Sequence, residues 1–321
     1  MRAAQVREFG GPEVLVPVVL PDPVPGPGEV LIDVAYIDTI FVETQLRTGW
    51  GREFFPATPP YVPGGGVAGV VAELGPGVPE EWRGRRVTAY VQDGYASRAV
   101  AAASALTVVP DGLDLLPAVA LVHDGVTAAG VLELTAVAPG DRVLILGASG
   151  GMGTLLVQLA HSRDALVVGL ARGTEKLALV RELGADATVD VSAPDWPERA
   201  RAALGGAAAD VVLDGVGGQL GATALALTAD GGCFSAHGAP SGTFATLDTQ
   251  EAAHRDIKLF GIADVQFPPP DLRRLTSYTF AEAVAGRLRP VIGEVFELAR
   301  AGDAHAAIEG RGVVGKVVLK V

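Results

Sequence analysis

The sequence is poor in cysteine, since Cys233 is the only one among its 321 residues. One cysteine cannot form an internal disulfide, and it cannot supply the several thiolates of a cysteine-rich structural zinc site. The sequence also lacks an apolar run of roughly 18 uncharged residues, so we expect no membrane span and no membrane partner. Residues 1–10 are polar and mixed, unlike a secretory signal peptide, and a cytoplasmic protein fits these absences.

Positive charge is scarce as well. Lysine and arginine total 25 against 37 acidic residues, which gives a formal net charge of -12 at pH 7. An acidic chain repels phosphate backbones, and no basic run offers a local exception, so nucleic acid is not an expected partner. Arginine is much more frequent than lysine, which suggests a GC-rich bacterial gene.

Apolar sequence is abundant, at 49% of the chain, and the length favours two domains. The first ~120 residues predict short strands separated by Gly/Pro turns, a pattern typical of a barrel or sandwich. Residues 116–134 then show helical apolar spacing. After them, short apolar strands alternate with helices, which predicts βαβ units and a parallel sheet; the strands are 142–146, 166–170, 188–191 and 209–213, and the helices 152–161 and 174–183.

The last ~50 residues, after prolines 268–270, are too few to fold alone and should return to the first domain. We therefore predict an N-terminal domain over 1–122, a domain of βαβ units over 123–264, and a return segment over 265–321 that completes the first domain.

The strongest motif is GASGGMG at 147–153, which lies directly between a predicted strand and a predicted helix. This is the context that a dinucleotide-binding turn requires. Gly150 would let the backbone approach a pyrophosphate, and Gly153 would let the helix pack closely on the strand. The free N–H groups and the dipole of the helix N-terminus favour an anion there.

The end of the second strand indicates which dinucleotide binds. NAD-specific sites carry an acidic residue there, but this strand ends in Ala171-Arg172-Gly173-Thr174. Arg172 and Lys176 could pair with a 2′-phosphate, which predicts NADPH. The alternative is that both side chains belong to a solvated surface.

Six segments, in this order along the chain, resemble the zinc-free quinone oxidoreductase branch of the medium-chain dehydrogenase/reductase superfamily: PYVPGGGVAGVVAELGPGV at 60–78, GASGGMGTLLVQLA from 147, KLALVRELGAD at 176–186, DGVGG at 214–218, GGCFSAHGAPSG at 231–242 and GKVVL at 315–319. The resemblance implies an α/β protein with a GroES-like β-barrel catalytic domain, a doubly wound Rossmann domain, and the site in the cleft between them. It implies NADPH as cofactor and hydride transfer to a small-molecule substrate, a quinone or an α,β-unsaturated carbonyl.

The resemblance also implies a set of cofactor contacts. They comprise the glycine-rich turn, a threonine near the nicotinamide and the loop beside its ring: Thr127, Ser149, Gly150, Gly151, Met152, Gly153, Arg172, Lys176, Val216, Ala236, His237, Gly238 and Lys316. For His237 a role in loop geometry is the alternative. Relatives commonly pair the edge strands of their Rossmann sheets, so we expect a homodimer through the strand-like residues 257–265.

The resemblance further implies that no metal is bound. Zinc-dependent relatives bind their catalytic metal through a cysteine and a Gly-His-Glu segment. Here Asp38 is aligned with the cysteine and Gly64–Gly66 with Gly-His-Glu, and a lone carboxylate does not make a tetrahedral zinc site.

Reduction of an enone requires a proton donor or a hydrogen-bond donor for the developing enolate. The candidates are Tyr36, Asp38, His123 and Asp124, with Asp124 tuning the histidine and Asp38 as a protonated donor. For His123 the alternative is a structural histidine at a domain junction. His161, His254 and His305 are expected at the surface.

The aromatic, proline-rich residues 50–61 are expected to shape an apolar substrate site through Trp50, Phe54, Phe55 and Tyr61, together with Tyr36, unless they only pack the domain. Two other functions remain open on this fold: a non-redox cyclase of secondary metabolism, and an NADPH-binding protein that is not an enzyme.

Overall fold

The computed structural model describes residues 1–51 and 56–321 and divides them into two compact units. The first unit contains residues 1–126 and 269–321, and the second contains residues 127–268. The domain boundaries proposed from the sequence lie four residues earlier at both places, after 122 and 264 rather than 126 and 268.

Strands dominate the N-terminal part of the first unit. In chain order its elements are β1 (Arg2–Val6), β2 (Leu15–Val19), β3 (Glu29–Asp38), α1 (Phe41–Arg47), β4 (Gly66–Leu74), β5 (Arg86–Tyr90), β6 (Arg98–Ala102), β7 (Thr107–Val108) and α2 (Leu115–Ala120). The long strand β3 is central, because it pairs antiparallel with both β4 and β6. Its apolar residues, such as Val30 and Ile32, are fully buried and join the main core of this unit.

The second unit alternates strands with helices. Its elements are α3 (Asp124–Leu134, which begins in the first unit), β8 (Arg142–Leu146), α4 (Gly151–His161), β9 (Leu166–Ala171), α5 (Thr174–Glu182), β10 (Ala187–Asp190), α6 (Trp196–Ala203), β11 (Ala209–Asp214), α7 (Gly218–Leu225), β12 (Thr228–Ala236), α8 (Thr249–His254) and β13 (Lys258–Phe260). The strands form a parallel sheet in the order β10-β9-β8-β11-β12-β13. This is the doubly wound order, and its direction reverses between β8 and β11. The central strand β8 is an apolar run with four buried residues, as expected for a strand covered on both faces.

The return segment contributes α9 (Pro269–Val284), β14 (Ile292–Glu297), α10 (Ala301–Glu309) and β15 (Lys316–Lys320). Strand β15 pairs antiparallel with β3, and Val318 lies opposite Asp38. The beginning and the end of the chain therefore share one sheet. Within the described ranges, the helices are too short or too polar to cross a bilayer.

Two of the predicted elements are wrong in extent. Residues 116–134 form two helices, α2 and α3, and the chain between them turns at Leu121–His123, so His123 lies outside both helices. Of residues 257–265, a strand forms over Lys258–Phe260 alone. The backbone N–H of Gly261 donates to the carboxylate of Asp264 at 2.7 Å, and this local turn ends the strand.

Candidate active site and cofactor-binding turn

Asp38 and His123 form a hydrogen-bonded pair in the first unit. Asp38 is the last residue of β3 and is 1% exposed. Its Oδ2 lies 2.6 Å from Nδ1 of His123. An ionised carboxylate only accepts hydrogen bonds, so Nδ1 carries the proton, and Nε2 is the ring atom left to exchange one. In this arrangement a carboxylate orients a histidine that can act as an acid or a base.

Lys316 joins this pair to Asp124. It is the first residue of β15 and is 5% exposed. Its Nζ lies 2.6 Å from Oδ1 of Asp38 and 3.0 Å from Oδ2 of Asp124. We call these four residues the Asp38 cluster. Two carboxylates against one ammonium leave a negative charge, which an imidazolium at His123 would cancel.

Burial and charge act in opposite directions on the pKa values of the cluster. Burial raises the pKa of Asp38, but Lys316 and His123 outweigh it and hold that pKa below its usual value. At Asp124 burial dominates and raises the pKa in spite of Lys316. Burial lowers the pKa of Lys316, but the carboxylates of Asp124 and Asp38 more than offset this and raise it. Asp38 and Lys316 are therefore both ionised at neutral pH.

The structure brings the three predicted catalytic residues together but changes their relationships. Asp38, rather than Asp124, is the direct partner of the His123 ring. Asp38 does not fit the role of a protonated donor, because its lowered pKa makes it an anion at neutral pH. Lys316 was not predicted in this cluster. Its ammonium is held by two carboxylates, and its contact with a cofactor stays a prediction.

Gly65 and Gly66 make room for the His123 ring. A Cβ atom at Gly66 would stand 2.9 Å from Cε1 and 3.0 Å from Nδ1 of His123. A Cβ atom at Gly65 would stand 3.1 Å from Nε2. The ring of Tyr90 contacts the imidazole edge to face, with centroids 4.8 Å apart. Side chains at the two glycines would push the histidine away from Asp38, so these glycines help to position it.

The glycine-rich turn leads from β8 into α4. Gly150 is the N-cap of α4, with an ordinary φ of -78°, and it is exposed. A Cβ atom there would meet little, since its nearest neighbour is the carbonyl of Gly147 at 3.5 Å. The fold itself does not demand glycine at this position, whereas a Cβ at Gly153 would lie 2.2 Å from that same carbonyl. Gly150 therefore leaves the helix N-terminus open to a close ligand, which fits a pyrophosphate.

The other predicted cofactor residues lie at the carboxyl edge of the parallel sheet or near it. Arg172 is exposed directly after β9, and Lys176 is half-buried on α5. Ser149 and Ala236 are buried. Gly151 and Met152 are half-buried in the first turn of α4, and Val216 and Gly238 are half-buried in the turns after β11 and β12. His237 is buried after β12. Thr127 is half-buried on α3.

The structure describes only some of the predicted substrate residues. Phe54 and Phe55 lie outside the described residues. Tyr36 is half-buried on β3, and Trp50 is half-buried in the turn after α1. Tyr61 is half-buried, and its hydroxyl is buried without a partner among the described residues.

A second polar network in the first unit was not predicted. Arg47 is fully buried, and its Nη1 lies 3.1 Å from Nδ1 of His305. Nε2 of that ring lies 3.0 Å from the Tyr95 hydroxyl, which donates to Oε2 of Glu43 at 2.7 Å. We call these residues the Arg47 chain. The expectation that His305 lies at the surface is wrong, because α10 turns His305 inward together with Ala301 and Ala304.

Among residues 1–51 and 56–321, no group of three or more His, Cys, Asp and Glu side chains is arranged to hold a metal ion. In the Asp38 cluster the cation between the carboxylates is the ammonium of Lys316.

Comparisons with known proteins agree with this architecture. Residues 26–112 match the alcohol dehydrogenase GroES-like domain, and residues 151–277 match the zinc-binding dehydrogenase domain. The chain is 31% identical to a 2-haloacrylate reductase from a Burkholderia species, with 99% of this chain and 98% of the relative covered. It is also 31% identical to the quinone oxidoreductase of Rattus norvegicus, with 99% and 97% covered.

A mycobacterial structure solved in complex with NADPH is 32% identical to the chain and superposes with a TM-score of 0.93 over all of both chains. The predicted fold class, an α/β protein with a GroES-like domain and a doubly wound Rossmann domain, is confirmed by these matches.

Proposed function

Because the chain belongs to the quinone oxidoreductase branch of the medium-chain dehydrogenase/reductase superfamily, we propose that it transfers hydride from NADPH to a quinone or an α,β-unsaturated carbonyl compound. The observation that carries the proposal is the open helix N-terminus at Gly150, where the fold leaves space for a pyrophosphate. The NADPH complex of the mycobacterial structure supports this cofactor. The name of the haloacrylate reductase supports an acceptor with a conjugated carbon–carbon double bond.

The second unit supplies the residues that hold the cofactor. The N–H groups at the start of α4 face the pyrophosphate, and Arg172 with Lys176 binds the 2′-phosphate. Asp190 lies near this strand end, but its carboxylate accepts from the N–H groups of Gly173 at 3.2 Å and Ser192 at 2.8 Å. These hydrogen bonds, above all the one with Ser192, and the charge of Arg172 hold the pKa of Asp190 below its usual value. We propose that the 2′-phosphate takes over the interaction with Arg172 when NADPH binds.

The first unit supplies the proton. When bound, NADPH provides the hydride that adds to the β-carbon of the acceptor. The electron pair of the double bond then moves toward the carbonyl, and one proton completes the reduction. Nε2 of His123 is suited to deliver it, because Asp38 accepts from Nδ1–H and so orients the ring. Solvent then restores the proton to His123, whose side chain is 22% exposed.

We propose that this reaction does not use zinc. Gly65 and Gly66 carry no ligand side chain, and the His123 ring fills the space beside them. The domain family that residues 151–277 match is called the zinc-binding dehydrogenase domain, but that range holds no residue of the Asp38 cluster. Lys316 provides the positive charge that this cluster needs.

The test is the loss of NADPH absorbance with a panel of quinones, enones and 2-haloacrylate. We expect turnover with at least one class of conjugated acceptor and weaker activity with NADH. Tight NADPH binding without turnover on any acceptor would contradict the reductase proposal, and it would favour a cyclase or a binding protein. Product analysis on polyketide-like substrates would then separate those two.

We also propose a homodimer formed through the Rossmann sheets. Strand β13 is the outermost strand on its side of the parallel sheet, and its residues Leu259 and Phe260 are half-buried. An exposed edge strand offers unpaired N–H and C=O groups to a second copy of the same strand.

A further inference from the structure

Three strands of the second unit end at the same level. Leu146, Asp214 and Ala236 are neighbours in register, so the residues that follow them form one row along the carboxyl edge of the sheet. These residues are Gly147, Gly215 and His237. In a doubly wound sheet the ligand lies outside this edge, where the strand order reverses between β8 and β11. His237 is one strand away from that point.

His237 presents a buried nitrogen without a partner. Its side chain is 8% exposed, and its Nδ1 lies 3.1 Å from the hydroxyl of Ser235. Its Nε2 has no hydrogen-bond partner among the described residues. Burial lowers the pKa of His237 to about 4, against a weaker opposing hydrogen bond with the Ser235 backbone. The ring is therefore neutral at pH 7. When the ring proton is on Nδ1, toward Ser235, Nε2 carries a lone pair that can accept a hydrogen bond but has no donor.

The unpartnered nitrogen faces the switch point of the sheet. A Cβ atom at Gly215 would stand 3.5 Å from Nε2 of His237 and 3.2 Å from the carbonyl of Leu146. Gly215 does not have a positive φ, so its backbone does not require glycine. Gly215 is half-buried, and because it is glycine no side-chain atom stands between His237 and the end of β8 at this position, which we call the Gly215 space.

The order of the proposed cofactor contacts along the sheet edge indicates which part of the cofactor lies at the Gly215 space. Arg172 after β9 marks the 2′-phosphate end of the cofactor, and the start of α4 marks the pyrophosphate. The nicotinamide half then lies on the opposite side, over β11 and β12. The ring of nicotinamide carries one polar substituent, a primary carboxamide, and its NH₂ group is a donor. A buried acceptor without a donor is costly, so a ligand that supplies one gains affinity.

We propose that Nε2 of His237 accepts a hydrogen bond from the carboxamide NH₂ of the bound cofactor, and that His237 thereby selects the carboxamide. This inference rests on the proposed NADPH-dependent function. It assigns to one side chain a recognition task that the glycine-rich turn and Arg172 do not perform.

The test compares equilibrium binding of three ligands to the intact protein. NADP⁺ has the carboxamide, its 3-acetylpyridine analogue has a methyl group in place of the NH₂, and 2′-phospho-ADP-ribose has no nicotinamide. We expect the wild type to bind NADP⁺ about tenfold more tightly than the analogue, the scale of one buried hydrogen bond. His237→Phe should bind both dinucleotides with the affinity of the analogue, and its affinity for 2′-phospho-ADP-ribose should not change.

Two further variants make the test specific. His237→Gln keeps an acceptor near the position of Nε2 and should keep part of the preference for NADP⁺. His254→Phe makes the same change at an exposed histidine of α8 and should bind all three ligands like the wild type.

The inference is overturned by a wild type that binds both dinucleotides equally, whatever the variants do. It is also overturned if His237→Phe weakens 2′-phospho-ADP-ribose as much as NADP⁺, because His237 would then only shape the loop. A wild type that binds none of the three ligands would overturn the proposed function as well.

Discussion

The guanidinium of Arg47 lies 3.1 Å from Nδ1 of His305 and so determines which nitrogen of that ring carries a proton. A guanidinium only donates hydrogen bonds, so Nδ1 accepts. Burial and, to a smaller extent, the charge of Arg47 lower the pKa of His305 to about 3, so the ring is neutral with its proton on Nε2. That N–H donates a hydrogen bond to the Tyr95 hydroxyl, which in turn donates one to the Glu43 carboxyl group. The Arg47 chain therefore has one direction, from a guanidinium to a carboxyl group.

Glu43, the carboxyl group at the end of the Arg47 chain, makes the free energy of unfolding depend on pH. Burial raises the pKa of Glu43 to about 7, whereas an unfolded glutamate titrates near ~4.3. The folded protein thus holds the proton more tightly, and the stabilisation is lost as pH rises from about 4 to about 7. Glu43→Gln mimics the protonated form, so we expect the variant to gain on the order of 3 kcal/mol relative to the wild type between about pH 5 and about pH 8.

Chemical denaturation at these two pH values measures the effect. Glu8→Gln changes an exposed glutamate and should retain the pH dependence of the wild type. An equal pH dependence in the wild type and Glu43→Gln would show that Glu43 is ionised throughout.

Because His123 is the proposed proton donor, we expect substitutions in the Asp38–His123 pair to lower turnover without weakening NADPH binding. We expect His123→Ala to lower kcat by about 10²-fold, the lower range for a proton donor, with an unchanged dissociation constant for NADPH. Asp38→Asn keeps an oxygen that can accept from Nδ1–H and so still orients the ring, and we expect it to lower kcat by less than about tenfold. His254→Ala is the control. Unchanged kinetics in both active-site variants would assign the proton to solvent.

Arg172 predicts the preference for the phosphorylated cofactor. We expect Arg172→Ala to weaken NADPH binding by about 1–3 kcal/mol, the scale of a charge-assisted hydrogen bond, and to leave NADH binding unchanged. Arg199→Ala removes an equal charge from α6, where Arg199 pairs with Asp195 at 2.9 Å, and it should leave both affinities unchanged. Tighter binding of NADH than NADPH by the wild type would refute this role.

Metal independence is checked by elemental analysis and chelation. Because Lys316 supplies the positive charge between Asp38 and Asp124, we expect purified active protein to contain substoichiometric zinc. Dialysis against a chelator should leave kcat unchanged. Stoichiometric zinc that is lost together with activity would contradict this expectation.

Assembly is checked by light scattering. We expect a particle of twice the chain mass of 32.8 kDa at micromolar concentrations. Leu259→Pro on β13 removes an N–H group from the edge strand and should shift the mass toward the monomer. Val24→Pro, an equal change at an exposed residue of the first unit, serves as its control. A monomeric wild type would refute the dimer.

Local sequence patterns were sufficient to predict the elements of the second unit, but they were insufficient to predict the contacts of the Asp38 cluster. Strand β8, the glycine-rich turn and α4 are contiguous, so their apolar periodicity and glycines could be recognised directly. Lys316 and Asp124 are 192 residues apart, and nothing near either residue indicates that they meet. Their contact depends on the pairing of β15 with β3, which is a property of the folded sheet.

His305 shows a signal that could have been used. Ala301, Ala304 and His305 have the spacing of one helix face, and the small residues beside the histidine indicate a buried face. The break before α3 also has a local marker, because Asp124 is an acidic residue in the first turn of a helix. Reading that marker as a helix start would have placed His123 in the preceding turn.

The division of the first unit between the two ends of the chain governs when the Asp38 cluster can form during synthesis. Residues 127–268 of the second unit leave the ribosome together, before α9 exists, and can fold while the chain is still growing. Asp38, by contrast, waits for Lys316, which follows the whole second unit in the chain. Until Lys316 has been made, Asp38 is a carboxylate without its ammonium partner. A nascent chain is therefore able to complete its second unit well before it completes the Asp38 cluster.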